Sequence, residues 1–257
     1  MEKGVPIRAV SRSIGVLQTI NRYGALSMMA ISRHGNLPYP TAFRIVQTLI
    51  HEGLIELEPA SKRYRPTALV QSLAIGYSAQ SNLPDIARPH MSAFTRELGW
   101  PLFISGRVGA QMVVRYATHA ETSLTFELCH VGSTVPLPTS ATGHALLSTV
   151  PDDELEGLVG WVNRERPEGD ILDLDELRYV IAEVRRNGYG AKPCASSTRT
   201  SSVAVPIMSD DGAEAVLTLT YFSAAMKQRT AVDRYIEPLR ETAHRIARNA
   251  QSMTPLI

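Results

Sequence analysis

Aromatic side chains make up only 6% of the 257 residues, and there are just two cysteines. Cys129 and Cys194 cannot build a disulfide framework and stand in no metal-ligand spacing. No apolar run approaches the roughly 18–20 residues that span a bilayer. Met1–Pro6 begins no signal-peptide stretch. These absences argue against secretion, a membrane partner and a zinc module, and predict a protein of the reducing cytoplasm. Catalytic motifs are missing as well. There is no Gly-x-Ser-x-Gly, no phosphate-binding Walker loop and no dinucleotide fingerprint. The seven histidines are scattered without metal spacing, so no metal and no cofactor are expected. Cys129 and His130 are neighbours, but adjacent residues of a strand point to opposite faces. An enzyme is therefore not expected.

What remains is an ordinary globular composition, 44% apolar and 20% charged, with room for two domains. The net charge of +1 conceals an asymmetry. Residues 1–80 carry nine Lys/Arg against four acids, and the rest of the chain is net −4. A basic first third on an acidic remainder suggests two modules with different partners, the first suited to phosphate.

The patterning agrees with two modules. Ser13–Tyr23 has apolar residues at helical spacing and is followed by Gly24. Ser27 can cap a short helix beginning at Met28. A third helix is predicted over 40–52, with Pro40 at its first position and Ala42, Ile45, Val46 and Leu49 on its inner face. Residues 54–58 and 63–66 then read as a hairpin around Pro59–Lys62, and Ala68–Tyr77 as a further helix. Two short helices and a hairpin with a basic tip form the pattern of a winged helix-turn-helix. Beyond a polar linker, helices are predicted over 84–98, 142–149, 152–162, 174–187 and 235–251. Strands are predicted over 102–107, 111–118, 124–128, 203–208 and 215–222, with a turn at Asp210-Asp211-Gly212. The fold class is α+β, with helices bracketing an antiparallel sheet. Domains are expected at 1–67 and 83–257, joined by a helical linker over 68–82.

In a helix-turn-helix, base edges are read from the start and outer face of the second helix, while phosphate contacts set its register. The candidate DNA contacts are Ser27, Tyr39, Pro40, Thr41, Arg44, Gln47 and Thr48, with Lys62, Arg63 and Arg65 on the wing. Arg suits guanine, Gln suits adenine and Thr suits the thymine methyl. In 216–222, strand alternation puts Thr218 and Thr220 on one face. Arg115 shares a face with Val113 and Ala117 and would need a carboxylate partner if buried.

The stretches Ser13–Leu17, Asn36–Leu49, Glu52–Ile55, Arg63–Pro66, Val135–Leu147, Asn187–Gly190 and Ser202–Ile207 together resemble the IclR family of bacterial transcription regulators. Trp100-Pro101, Met112–Arg115, Thr118-His119 and Leu219–Met226 resemble its MhpR-like subgroup, which serves aromatic-acid catabolism. The resemblance implies a winged helix-turn-helix joined to a GAF/profilin-like effector-binding domain. It implies double-stranded operator DNA, a small-molecule effector, a second copy as homodimer or homotetramer, and RNA polymerase as partners. By motif position it places Ser202, Thr218 and Thr220 on the pocket strands, and Ser140 and Gly143 in the loop that begins the pocket helix. Lys192 replaces an acid common in the family, and Arg199 replaces a glycine. An aromatic carboxylate is the effector expected, with Val135, Leu137 and Phe222 as its apolar slot and Arg115, Lys192 or Arg199 as its cation. The alternatives are an enzyme acting on a small acid and a regulator sensing a short aliphatic acid.

Overall fold

The structure, a computed structural model, describes residues 7–78, 83–124, 129–163, 171–192, 199–210 and 212–253. The chain divides into two compact units, Met1–Ser81 and Asn82–Ile257.

The N-terminal unit packs α1 (Arg8–Tyr23), α2 (Met28–His34) and α3 (Tyr39–His51) against the hairpin of β1 (Ile55–Glu58) and β2 (Arg63–Pro66). Val16, Ile20, Ile31, Ala42, Val46, Leu49 and Ile55 form its core, each at most 5% exposed. Val16, Ile20, Ala42, Val46 and Leu49 are among the residues whose spacing predicted α1 and α3. Gly24 ends α1 at φ +75°, its amide donating to the Ile20 carbonyl. Ser27 caps α2 by accepting from the Ala30 amide at 3.3 Å. α3 begins one residue earlier than expected, so Pro40 is its second residue and Pro38 its cap. The wing is anchored at its base. Leu26 and Tyr64 exchange backbone hydrogen bonds of 2.9 and 2.8 Å, tying β2 to the α1–α2 connection.

The helix expected over Ala68–Tyr77 is instead a 3-10 helix over Ala68–Ala74, followed by one α turn, α4 (Ile75–Ser78). None of the 3-10 segment is buried. It has no packed stripe of the kind that holds an α-helix in a tertiary fold.

The C-terminal unit is built on a six-stranded antiparallel sheet in the order β5-β4-β3-β8-β7-β6. Its strands are β3 (Leu102–Val108), β4 (Gln111–Ala117), β5 (Thr134–Pro136), β6 (Gly190–Lys192), β7 (Thr200–Ser209) and β8 (Gly212–Phe222). Alternation along β8 divides the core. Leu217, Leu219 and Tyr221 join Val203, Val205 and Ile207 beneath α5 (Leu83–Leu98) and α9 (Gln228–Met253). Val216 and Ala204 face the other way. They pack with α6 (Ala141–Leu147), α7 (Asp152–Asn163) and α8 (Leu174–Asn187).

The sequence reading missed β5 and β6. Each has three residues and lies at an edge of the sheet, too short to display alternation. α9 starts seven residues before its expected beginning, because the polar turn from Gln228 hides its helical period. In the strand expected over 124–128 only Leu124 is described, and it lies in a bend. Residues 125–128, Cys194, Asp211 of the expected turn and residues 79–82 of the expected linker lie outside the described residues.

Candidate functional sites

In the N-terminal unit, Tyr39, Pro40, Arg44, Gln47 and Thr48 are exposed along α3, and Thr41 is half-buried. Thr41 and Thr48 flank a groove between α3 and α1, which also includes Arg12, Ser13 and Arg44 and encloses about 750 Å³. The Thr48 hydroxyl donates back to the Arg44 carbonyl at 3.1 Å. Phe43, which sequence reasoning left out of the outer face, is exposed and stacks on Tyr39. Its spacing of four from Tyr39 was the available signal. Ser27 is exposed, with its hydroxyl engaged as the α2 cap.

On the wing, Lys62, Arg63 and Arg65 are all exposed. Lys62 takes φ +54° in the hairpin turn. Arg65 is already engaged: its guanidinium meets Glu56 at 2.8 Å and Glu58 at 3.5 Å. Those two acids sit across the β1–β2 pair from Arg65 and Arg63. Within the wing, Lys62 and Arg63 are therefore the better placed for phosphate.

In the C-terminal unit, strand register sets Lys192 opposite Ser202 and Ser202 opposite Thr220. The three form a polar row across β6, β7 and β8. The next row sets Gly190, Ala204, Thr218 and Phe103 side by side. Thr218 is fully buried, and its hydroxyl pairs with that of Thr142 at 3.0 Å. Thr220 is 8% exposed and borders a tight void lined by Phe103, His119 and Cys129. The Lys192 ammonium donates to the Thr139 carbonyl. Lys192 also lines a cavity of about 330 Å³ with Pro138, His144 and Leu177, where Asp173 and Glu176 supply negative charge.

Several expected pocket residues stand elsewhere. Ser105 and Phe103 share the face of Val216 and Thr218, so Gly106 points to the opposite face. A Cβ on Gly106 would lie 2.6 Å from the Arg115 guanidinium. The bulge at Ile104/Ser105 has turned Arg115 across that opposite face, away from Thr218 and Thr220. Arg199 is exposed, and its carbonyl accepts from the Ser223 amide at 3.0 Å. Leu137 is fully buried, and Val135 packs beside it in the cluster under α6 and α8. Phe222 packs with the cluster under α5 and α9. The apolar side chain placed beside the two threonines is Phe103, which only strand pairing could reveal.

Ser140 and Gly143 begin α6. The Ser140 hydroxyl accepts from the Gly143 amide at 3.0 Å and donates to the Pro136 carbonyl at 2.6 Å. A Cβ on Gly143 would fall 1.7 Å from the Leu137 carbonyl oxygen, so the α6 backbone lies directly on that loop.

Two histidines far apart in the pattern come together. His119 Nε2 and His130 Nδ1 are 3.1 Å apart. Burial, then the neighbouring His130, lowers the His119 pKa. Cys129 and His130 are in a loop. Burial pushes the Cys129 thiol up to about 11, so it is not a thiolate at neutral pH. No group of three or more His, Cys, Asp or Glu suited to a metal occurs among the described residues. No described helix is long and apolar enough to cross a membrane.

A basic helix-turn-helix with a wing in one unit, and a sheet that carries a row of polar side chains in the other, fit a DNA-binding regulator that responds to a small ligand. Residues 9–59 match the IclR helix-turn-helix domain, and residues 75–248 match the bacterial transcriptional regulator IclR C-terminal domain. The chain belongs to the IclR family of transcriptional regulators, and is not an enzyme. It is 22% identical to the DNA-binding transcriptional repressor YiaJ of Escherichia coli, over 96% of this chain and 89% of that protein. It is 27% identical to the transcriptional regulator TtgV of Pseudomonas putida, over 72% and 70% of the two chains. Among solved structures it resembles an IclR homologue from Microbacterium hydrocarbonoxydans complexed with 4-hydroxybenzoate. The TM-score is 0.70 at 24% identity, covering 95% of this chain and 99% of that one.

Proposed function

We propose that this regulator senses an aromatic carboxylate in its C-terminal unit and controls an operon for aromatic-acid catabolism. The observation that carries the reading is the row Lys192–Ser202–Thr220, with Phe103 beside the buried threonines. An aromatic acid needs one apolar surface and a few convergent polar groups. Phe103 supplies the first. The Ser202 and Thr220 hydroxyls supply hydrogen bonds, and Lys192 supplies the cation. Its ammonium has three donors, of which the Thr139 carbonyl takes one. The homologue bound to 4-hydroxybenzoate supports the same ligand class.

On the DNA side, Tyr39, Pro40, Arg44 and Gln47 enter the major groove, and Lys62 and Arg63 hold the backbone. The regulator works in the cytoplasm as a two-fold homodimer or a homotetramer, because paired half-sites need paired recognition helices. Half-sites then lie about 10–10.5 base pairs apart, or a multiple of that. Effector binding alters operator affinity or the contact with RNA polymerase.

Calorimetry with benzoate-, cinnamate- and phenylpropionate-type acids and their amides tests the effector. Tight binding of an acid, with its amide weakened and Lys192→Met weakened equally, is the expected outcome. Equal affinity for acid and amide would remove Lys192 as the clamp. No binding of any aromatic acid would remove the ligand class.

A further inference from the structure

The first turn of α3 carries an exposed aromatic pair. Tyr39 and Phe43 are 46% and 42% exposed, and their rings stack with centroids 6.4 Å apart and planes 12° from parallel. They stand four residues apart, on the flank of α3 opposite the groove shared with α1. Apolar carbon left in water is unfavourable, and a contiguous exposed patch marks a place of contact. Here the contact surface is continuous with the DNA-reading face. Arg44 follows Phe43 in the chain and is exposed, and no acidic residue occurs from 39 to 51. In the major groove the apolar group on a base edge is the C5 methyl of thymine.

We propose that Tyr39 and Phe43 act together as an apolar reader of thymine methyl groups. Each half-site must then present thymine where the first turn of α3 meets the groove. Arg44 supplies the polar reading next to it. The stack holds both rings side by side, so each loses little conformational freedom on docking. This inference rests on α3 being the recognition helix and adds a base identity to it.

The experiment uses the intact protein and an operator duplex selected by it from a random library. Each thymine is replaced in turn by deoxyuridine, which pairs identically and lacks only the methyl group. We expect one or two positions per half-site at which affinity falls about fourfold, the effect of one buried methyl-sized carbon. At those positions Phe43→Ala binds thymine and uracil equally. Uracil duplexes that all bind as tightly as the parent overturn the proposal, and so does a Phe43→Ala protein that still discriminates. A Phe43→Ala protein with altered molar mass by light scattering and unchanged thymine discrimination assigns this face to a second copy, and also overturns it. Failure of the native protein to retain any duplex overturns the reading of α3 together with the proposal. Normal retention without a uracil effect overturns the methyl reader alone.

Discussion

Arg44, Gln47, Lys62 and Arg63 stand exposed on the N-terminal unit, outside a core made entirely by other residues. In the C-terminal unit the candidate site and the core share residues. Thr218 is at once a candidate pocket position and one half of a buried hydroxyl pair, and Ser140 and Gly143 hold α6 in place. A candidate DNA contact can therefore change without cost to its fold, whereas a change in the candidate effector site also moves stability. The relation between the units is that of a reader displayed on a scaffold to a sensor built into one.

The sharpest way to break this comparison is Gly143→Ala. The new Cβ would meet the Leu137 backbone carbonyl, which cannot swing aside as a side chain does. A loss of about 3 kcal/mol in denaturant unfolding of the C-terminal unit is expected, the upper part of the usual range for overpacking. Gly15→Ala in α1, where a Cβ meets nothing within 4 Å, should instead gain up to about 1 kcal/mol. If Gly143→Ala is as harmless as Gly15→Ala, α6 is not seated on that loop.

Thr218→Val leaves the Thr142 hydroxyl buried without its partner and should cost about 2 kcal/mol. The double variant with Thr142→Val should recover most of it, because neither hydroxyl then remains to be satisfied. Additive losses in that cycle would show that the pair is not coupled. Arg44→Ala is the counterpart on the reading side. It should weaken operator binding by about 1–3 kcal/mol with specificity relaxed at one base pair. Its unfolding midpoint should not move.

Smaller effects sharpen the comparison within the wing. Lys62→Ala and Arg63→Ala should each flatten the salt dependence of binding by about one unit of slope. Arg65→Ala should flatten it less, because its guanidinium is shared with Glu56 and Glu58. Equal slopes for all three would mean that Arg65 leaves those acids when DNA arrives.

The smallest expected effect is on pH dependence. Burial holds the His144 imidazole below its ordinary 6.5, with Lys192 adding to the shift and the hydrogen bond to Pro138 opposing it. A histidine depressed in the folded state takes up its proton more readily when unfolded. Its contribution is complete above the unfolded value and declines as pH falls through 6.5 toward the lower folded value. His119 and His90 are depressed as well and act with the same sign. Thermal melts between about pH 7.5 and 5.5 should show Tm falling with acidity, and less steeply in His144→Gln. An unchanged slope would show that His144 binds its proton equally well in the folded and unfolded states.

The two units also differed in how far they could be read in advance. The helices and wing of the first were legible because its apolar periodicity is local and its candidate contacts are exposed. Phe43 was overlooked there because an aromatic on a helix is ordinarily counted toward the core. In the second unit, Thr218 and Thr220 were placed on one face by alternation alone. That Lys192 would line up with them, and Arg115 would not, depends on the pairing of β6 with β7 and on a bulge between β3 and β4. Phe103 comes beside Thr218 through a register spanning more than a hundred residues. Such partnerships carry no periodic signature, and the expected apolar slot of Val135, Leu137 and Phe222 drew on neighbouring stretches of sequence alone.

The paired hydrogen bonds between Leu26 and Tyr64 have a consequence for the DNA as much as for the protein. Leu26 precedes Ser27, the cap of α2, and Tyr64 lies next to Arg63 in the wing. The clasp holds the wing against the α1–α2 connection, so on the proposed docking the span from wing to helix-turn-helix is held like the gap of a caliper. On the proposed docking, a half-site of the wrong width or twist would not meet both jaws together, and part of the choice of operator becomes a measurement of duplex shape.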